Sequence, residues 1–487
     1  MKGLIFNTLS TIGAQRVDYG DCRIVRRLVE DITVKNNVPQ AVKYNESLGM
    51  GIRLLVDGSW GFAATPDLDS NSIMKAVKQA VAVARAARTL PAPQRVVLTR
   101  AQRSNETYKT PYVTDPFSVS VEDKLGILIS STERMQKTRG ISIAQAFYSA
   151  VKEEKKFGST EGSFIEQTIL YCGGGIIAYA IDGGEVQHRT YPCAFRGNFH
   201  TSGWEFFKAL DLPGNAARVA DEAIALLKAP PCPAGQSTIL LVDDQLALQV
   251  HESIGHPIEL DRVLGYEASF AGTSFLKPEM RGSFRYGSPR VNICADATSP
   301  GGLGTFGFDD EGVQARRSPI IVEGIFTGFL SSRETAGVIG MESNGTMRAD
   351  GWSNFPLIRM TNINLEPGEW KLKDLISDTK SGFLLRTNKS WSIDDRRVNF
   401  QFSTELAQEI KNGKLGRIYK NPVYTGTTWD FWRSCDAVCD ADSWNMWGTP
   451  NCGKGEPMQV MYVGHGVSPA RFRNVRIGSA GNGESKM

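Results

Sequence analysis

Pro230-Pro231-Cys232-Pro233 places three prolines in four positions near the middle of a 487-residue chain. Proline has no N–H to donate and its ring fixes φ, so this run can neither continue a helix nor lie in a central strand. A chain of this length exceeds one compact core, and two or three domains are expected. The proline run is the sharpest break available. It predicts an N-terminal α+β domain over 1–229 and a β-rich C-terminal domain over 230–487.

Before the break the pattern is hairpins and amphipathic helices. The first sixty residues read as a strand meander, with Asn36-Asn37 as one turn and Asp57-Gly58 joining 52–56 to 59–63. Two-residue Asp-Gly loops between apolar runs mark hairpins because both positions need positive φ. Ile73, Val77, Ala80, Val81 and Ala84 predict a helix over 72–88, capped by Asp69 or Ser70. Further helices are predicted over 120–137 and 216–227. Between them Asp182-Gly183 folds 176–181 back on 186–191.

Beyond the break, 237–242 reads as a short buried strand, and Asp243 or Asp244 as the cap of the helix that follows. The remainder is strand and turn at 320–330, 359–364 and 471–478, with one amphipathic helix at 404–411. The fold class is α+β: an α/β-sandwich-like N-terminal domain with antiparallel strands and helices, then a β-rich domain.

Composition excludes several functions. A formal charge of +3 and scattered arginine pairs (Arg26-Arg27, Arg316-Arg317, Arg396-Arg397) leave no basic run for nucleic acid. No apolar run approaches the length of a membrane span, and Gly3-Leu4-Ile5-Phe6 is too short for a signal peptide. Dispersed cysteines agree with a cytoplasmic protein.

The chemistry concentrates in His251-Glu252-Ser253-Ile254-Gly255-His256, an HExxxH hexad in a chain with five histidines. Two imidazoles can hold a metal ion while an adjacent carboxylate accepts a proton from the attacking water. The spacing poses a problem. Residues five apart on an α-helix diverge by about 140°, so His251 and His256 cannot face one ion from an ideal helix. Gly255 and Pro257 predict that the helix loosens there, through a wide turn that swings His256 towards His251. The competing reading makes His251 a core histidine among Ala247, Val250 and Ile254.

A third ligand is needed, and Glu259, Asp261, His465, Cys435, Cys439 and Cys452 are candidates. Cys452 lies in the turn-rich run Pro450-Asn451-Cys452-Gly453-Lys454-Gly455, where a nearby cation favours the thiolate a metal binds.

The hexad with its continuation to Asp261 (HESIGHPIELD), Phe308-Asp309-Asp310-Glu311-Gly312, Arg359-Met360-Thr361-Asn362 and Asn451-Cys452-Gly453-Lys454-Gly455 occur in an order that resembles the TldD/PmbA metallopeptidases. The resemblance runs along nearly the whole chain and points to the catalytic, TldD-like type. It implies zinc held by His251, His256 and Cys452, with Glu252 as catalytic acid/base. It also implies short or unfolded peptides as substrates. The assembly it implies is a dimer enclosing the site, either a homodimer or a heterodimer with a PmbA (TldE)-like subunit. Two features depart from the family pattern: the polar stretch 387–398, where glycines are expected, and the Cys435/Cys439 pair.

Asp309-Asp310-Glu311 reads first as a turn, with a supporting role at the metal or in substrate binding as alternatives. Arg359 reads as a structural ion pair rather than an anchor for a peptide carboxylate. The alternative for the whole chain is a non-catalytic metal-binding or iron–sulfur subunit using Cys435, Cys439 and Cys452. Their spacing matches none of the common ferredoxins.

Overall fold

Four strands of 17 to 19 residues dominate the N-terminal half of the computed structural model, which describes residues 1–90 and 95–480. Tyr19–Lys35 and Val38–Val56 form one hairpin, and Ile141–Ser159 and Phe164–Asp182 another. The turns at Asn36-Asn37 and Asp57-Gly58 are where the sequence puts them, whereas the one expected at Asp182-Gly183 falls one residue later, at Gly183-Gly184. Asn36 and Asn37 take φ of 48° and 68°, and Asp57 and Gly58 take 50° and 75°, the left-handed pairs that two-residue hairpin loops require. These strands belong to an eight-stranded sheet completed by Ser59–Thr65, Asn105–Lys109, Glu185–Tyr191 and Asn198–His200.

Helices cover this sheet. Ser70–Ala87 buries Ile73, Ala76, Val77, Ala80, Val81 and Ala84, and Asp69 caps it by accepting from the N–H groups of Asn71 and Ser72. Val121–Gln136 is capped by Ser120 in the same way. Leu212–Lys228 begins one turn earlier than its apolar pattern suggests, because Asp211 caps it and Pro213 fits its first turn. The meander reading of the N-terminus needs correction, since Lys2–Gly13 is a helix that buries Ile5, Thr8 and Ile12. Its stripe is interrupted by threonine, so the periodicity was weak.

All strands of the first sheet precede residue 201, and those of the other four sheets follow residue 234. In the C-terminal half, Ser381–Ile393, Gly235–Leu241, Ala470–Ser479, Pro422–Thr427 and Asn399–Lys411 pair in turn. The last pairs back on the first, which closes a barrel. Closure also turns one expected helix into a strand. Residues 404–411, expected as a helix, lie in the strand Asn399–Lys411, hydrogen-bonded on both sides. Leu406, Ala407 and Ile410 mimic helical spacing, but a strand buried on both faces no longer alternates, and pairing overrides propensity. Glu405 is buried there against Arg189, His188 and Thr190. Within 320–330, expected as strand and turn, a hairpin turns at Glu323-Gly324 with φ of 47° and 77°. Among the described residues no helix is long and apolar enough to cross a membrane.

Candidate metal centre

The barrel strand Gly235–Leu241 leads directly into the helix Asp243–Val250. Residues 244–250 are all buried, so this helix sits inside the fold instead of lying on a surface. Its polar residues are matched by the barrel wall. Gln245 donates to the Tyr424 hydroxyl at 2.7 Å, which donates in turn to Gln249 at 2.9 Å. Neither Asp243 nor Asp244 caps it, contrary to expectation. The Asp244 carboxylate is drawn away to the backbone N–H groups of Ala194 and Asn388, tying the helix to both halves of the chain.

The wide turn predicted from the hexad is present. His251–Gly255 forms a π-helical turn, closed by the His256 N–H on the His251 carbonyl at 3.1 Å. This five-residue hydrogen bond brings the two imidazoles onto one side, with ring centroids 4.8 Å apart. Gly255 does not terminate the helix. It lets the widened turn pass over Met360, whose Sδ would lie 2.4 Å from any Cβ placed there.

Cys452 arrives on the strand Asn445–Lys454. Thr449 and Cys452 are three apart yet face the same way as Val463 and Met461, which are two apart. Pro450 and Asn451 therefore oppose a single partner residue, and this bulge aims the thiol inward. Cys452 Sγ lies 3.9 Å from His256 Nε2, and the donor atoms of His251, His256 and Cys452 all fall within 4.8 Å of one another. Among the described residues this is the one group of three or more metal-ligating side chains so arranged.

The donors suit a borderline-soft divalent ion, and their protonation favours it. Burial lowers the basicity of both imidazoles, which favours the unprotonated form that a metal binds. Burial also works to raise the Cys452 thiol, but Arg359 and His256 outweigh it and hold the thiol below its ordinary value. Arg359 is thus the cation beside the thiol, and it has no carboxylate partner among the described residues. It donates to the carbonyls of Cys452 and Gln459. Lys454, expected in that role, turns away and is buried between Asp261 at 2.8 Å and Glu259 at 3.3 Å.

Glu259 and Asp261, candidates for the third ligand, lie one layer out. Glu259 Oε2 accepts from His256 Nδ1 at 3.0 Å, which directs His256 Nε2 to the cluster. Burial opposes its ionisation, but Lys454 and His256 hold its carboxyl well below the usual range. His465 is not in the cluster either. Its Nε2 lies 2.8 Å from His251 Nδ1, and its Nδ1 lies 3.2 Å from the Ile363 carbonyl.

Glu252 is buried and bound by the Arg397 guanidinium at 2.5 Å. Arg397 stands at φ 64° in the polar 387–398 stretch, on a turn held by Asp394. No sequence signal marked it, because 145 residues separate the partners.

Cys435 and Cys439 are not brought to Cys452. They lie at the Cys435–Val438 strand, and burial pushes both thiols up to about 12. The three-cysteine site of the iron–sulfur alternative is therefore absent among the described residues. Asp309-Asp310-Glu311 is a buried turn, as first read, and it carries ion pairs to the N-terminal sheet. Asp310 meets Lys155, and Glu311 meets Arg53.

Family models describe the chain along most of its length. The PmbA/TldA metallopeptidase C-terminal domain matches residues 234–479, domain 1 matches 20–84 and the central domain matches 114–229. A metalloprotease of Methanocaldococcus jannaschii is 32% identical over 424 residues, covering 86% of this chain and 89% of that one. A zinc metalloprotease TldD homolog of Saccharolobus solfataricus is 22% identical, covering 84% and 86%. The crystal structure of TldE from Thermococcus kodakarensis superposes with a TM-score of 0.73 at 18% identity, covering 98% of this chain and 99% of that one.

Proposed function

The chain belongs to the PmbA/TldD metallopeptidase family, and from that membership we propose that it is a zinc-dependent peptidase acting on short or unfolded peptides. The observation that carries this reading is the convergence of His251, His256 and Cys452 with the outer nitrogen of each imidazole already engaged. These three residues would hold the ion. When bound, zinc supplies a Lewis acid for the peptide carbonyl and lowers the pKa of water towards about 7.

The remaining chemistry falls to Glu252. Its carboxylate accepts the proton of the water that attacks the carbonyl carbon, and returns it to the amine as the C–N bond breaks. Arg397 holds one carboxylate oxygen, leaving the other for the proton. A cavity of about 410 Å³ beside Pro450 and Asn451, walled by Tyr171, Phe199 and Tyr462, offers room for peptide side chains next to the Cys452 bulge.

Two structural readings accompany this one. The chain divides at residue 230 into an N-terminal α+β domain and the C-terminal domain that carries the site. It assembles as a dimer, with itself or with a TldE-like subunit, in the cytoplasm, where eight free cysteines are at home.

Metal analysis beside peptide turnover tests the proposal. The protein should carry about one zinc per chain. Cys452→Ala should lose most of it, whereas Cys435→Ala and Cys439→Ala should keep it. Glu252→Gln should retain zinc and fold while peptide hydrolysis falls about 10²–10⁴-fold. Full turnover by a zinc-loaded Glu252→Gln protein would remove Glu252 from the mechanism.

A further inference from the structure

We propose that His465 is a positioning residue that fixes His251 in the tautomer whose Nε2 is free to bind a metal. The inference rests on reading His251, His256 and Cys452 as a metal site. A backbone carbonyl only accepts. The Ile363 carbonyl lies 3.2 Å from His465 Nδ1, so that nitrogen carries the hydrogen. A neutral imidazole has one donor and one acceptor, and His465 Nε2 is therefore the acceptor. Its neighbour at 2.8 Å is His251 Nδ1, which must then donate. The bare nitrogen of His251 is Nε2.

The fold holds His465 closely enough for this directionality to persist. Its strand, Gln459–Val467, is pinned to the segment 361–364 on both sides of the ring. The Gly464 N–H donates to the Thr361 carbonyl, and the Gly466 N–H donates to Asn364 Oδ1 at 2.8 Å. A side chain at either flanking glycine would force its neighbours to move. A Cβ on Gly464 would lie 2.2 Å from Asn362 Oδ1, and one on Gly466 would lie 1.8 Å from Trp444. The ring is fully buried, and among the described residues no carboxylate pairs with it. A doubly protonated His465, which no carboxylate among the described residues would compensate, would reverse the hydrogen bond and place the His251 hydrogen on Nε2.

Glu259 achieves the same result for His256, since a carboxylate also only accepts. The two ligand imidazoles are thus set in the same sense by chemically different groups, one charged and one neutral. The neutral device costs the buried site no additional charge.

Nitrogen-15 spectra of histidine-labelled, metal-free, full-length protein read the tautomers directly. His251 and His465 should both carry hydrogen on Nδ1, and a His251 protonated on Nε2 overturns the proposal. Zinc titration of two variants provides the functional arm. His465→Gln offers an amide oxygen in place of the ring acceptor and should bind zinc within a few-fold of the parent protein. His465→Leu should bind about 10–100-fold more weakly, with a shifted visible spectrum in the cobalt-substituted form. A folded His465→Leu protein with parental zinc affinity and cobalt spectrum also overturns it. Should His465→Leu fail to fold, the tautomers and the His465→Gln affinity still decide. A parent protein that binds no zinc would sink the metal reading, while the tautomer spectra would still judge His465.

Discussion

One wall of the metal centre is ionic and the other is neutral. Behind His256 stand Glu259, Lys454, Asp261 and Arg262, four formally charged side chains packed out of water. Behind His251 the hydrogen-bonded support consists of another imidazole and a backbone carbonyl, with no charged side chain in it among the described residues. Both walls leave an inward nitrogen available, so orientation alone does not require charge. What differs is the dependence on neighbours. A buried carboxylate must be matched by a cation and by hydrogen bonds, or its burial is strongly unfavourable. The neutral wall is satisfied by a single hydrogen-bond chain. The ionic wall should therefore be the more fragile of the two, and the more sensitive to pH.

The largest effect that tests this contrast comes from Lys454→Met, which preserves length and packing but leaves Glu259 and Asp261 without their shared cation. Removing one partner of a buried ion pair costs about 3–5 kcal/mol. We expect a loss of that order in denaturant unfolding near neutral pH. The pH dependence gives its signature. In the parent protein Glu259 ionises well below its unfolded value, so it contributes stability above the ordinary carboxylate range and loses it as pH falls. Without Lys454 that carboxyl shifts upward, and the deficit should shrink on acidification as the carboxylates protonate. Parallel stability curves for the two proteins from neutral to acid pH would break the comparison.

Glu259→Gln is the next largest, and it separates charge from orientation. The amide oxygen can still accept from His256 Nδ1, so the tautomer survives while the negative charge is lost. Loss of such a supporting carboxylate typically weakens metal binding about 10–100-fold. Zinc affinity should fall within that range, further than for His465→Gln, because the latter removes no charge. Equal losses in the two variants would show that the walls differ in composition but not in consequence.

The contrast also marks how far the sequence could be read. The π turn follows from the hexad itself, since i and i+5 cannot converge on an α-helix and Gly255 is small enough to pass Met360. The hairpins at Asn36-Asn37 and Asp57-Gly58 follow from residues that tolerate positive φ. Glu259 and Asp261 lay within reach because they are near His256 in the chain. Of the neutral wall only His465 was visible, and as a candidate ligand rather than as a support for His251. His251 and His465 are 214 residues apart, and a histidine between two glycines in a strand reads no differently from any other core position. Arg397 and Arg359 were obscured for the same reason: their partners are set by tertiary packing, which leaves no periodicity behind. The strand Asn399–Lys411 was misread because a barrel buries both of its faces and erases the alternation that identifies strands.

The smallest effect concerns the thiol that lies between the walls. Seven of the eight cysteines, Cys22, Cys172, Cys193, Cys232, Cys294, Cys435 and Cys439, are pushed upward by burial, and Cys452 alone is held below its ordinary value. Ultraviolet thiolate absorbance of the metal-free protein should therefore show one titration below the ordinary thiol range of about 8.5. Cys452→Ala should abolish it. Burial opposes this thiolate, and Arg359 is the largest influence that stabilises it, ahead of His256. Arg359→Gln keeps a donor for the Cys452 carbonyl but removes the charge, so the titration should move up. The sign carries through to metal binding. A thiol that is already ionised releases no proton on binding, so the parent protein should hold zinc with little pH dependence above its thiol pKa. Arg359→Gln should then bind more weakly at neutral pH and recover as pH rises. A titration left in place by Arg359→Gln would assign the thiolate to His256, and so to the ionic wall that orients it.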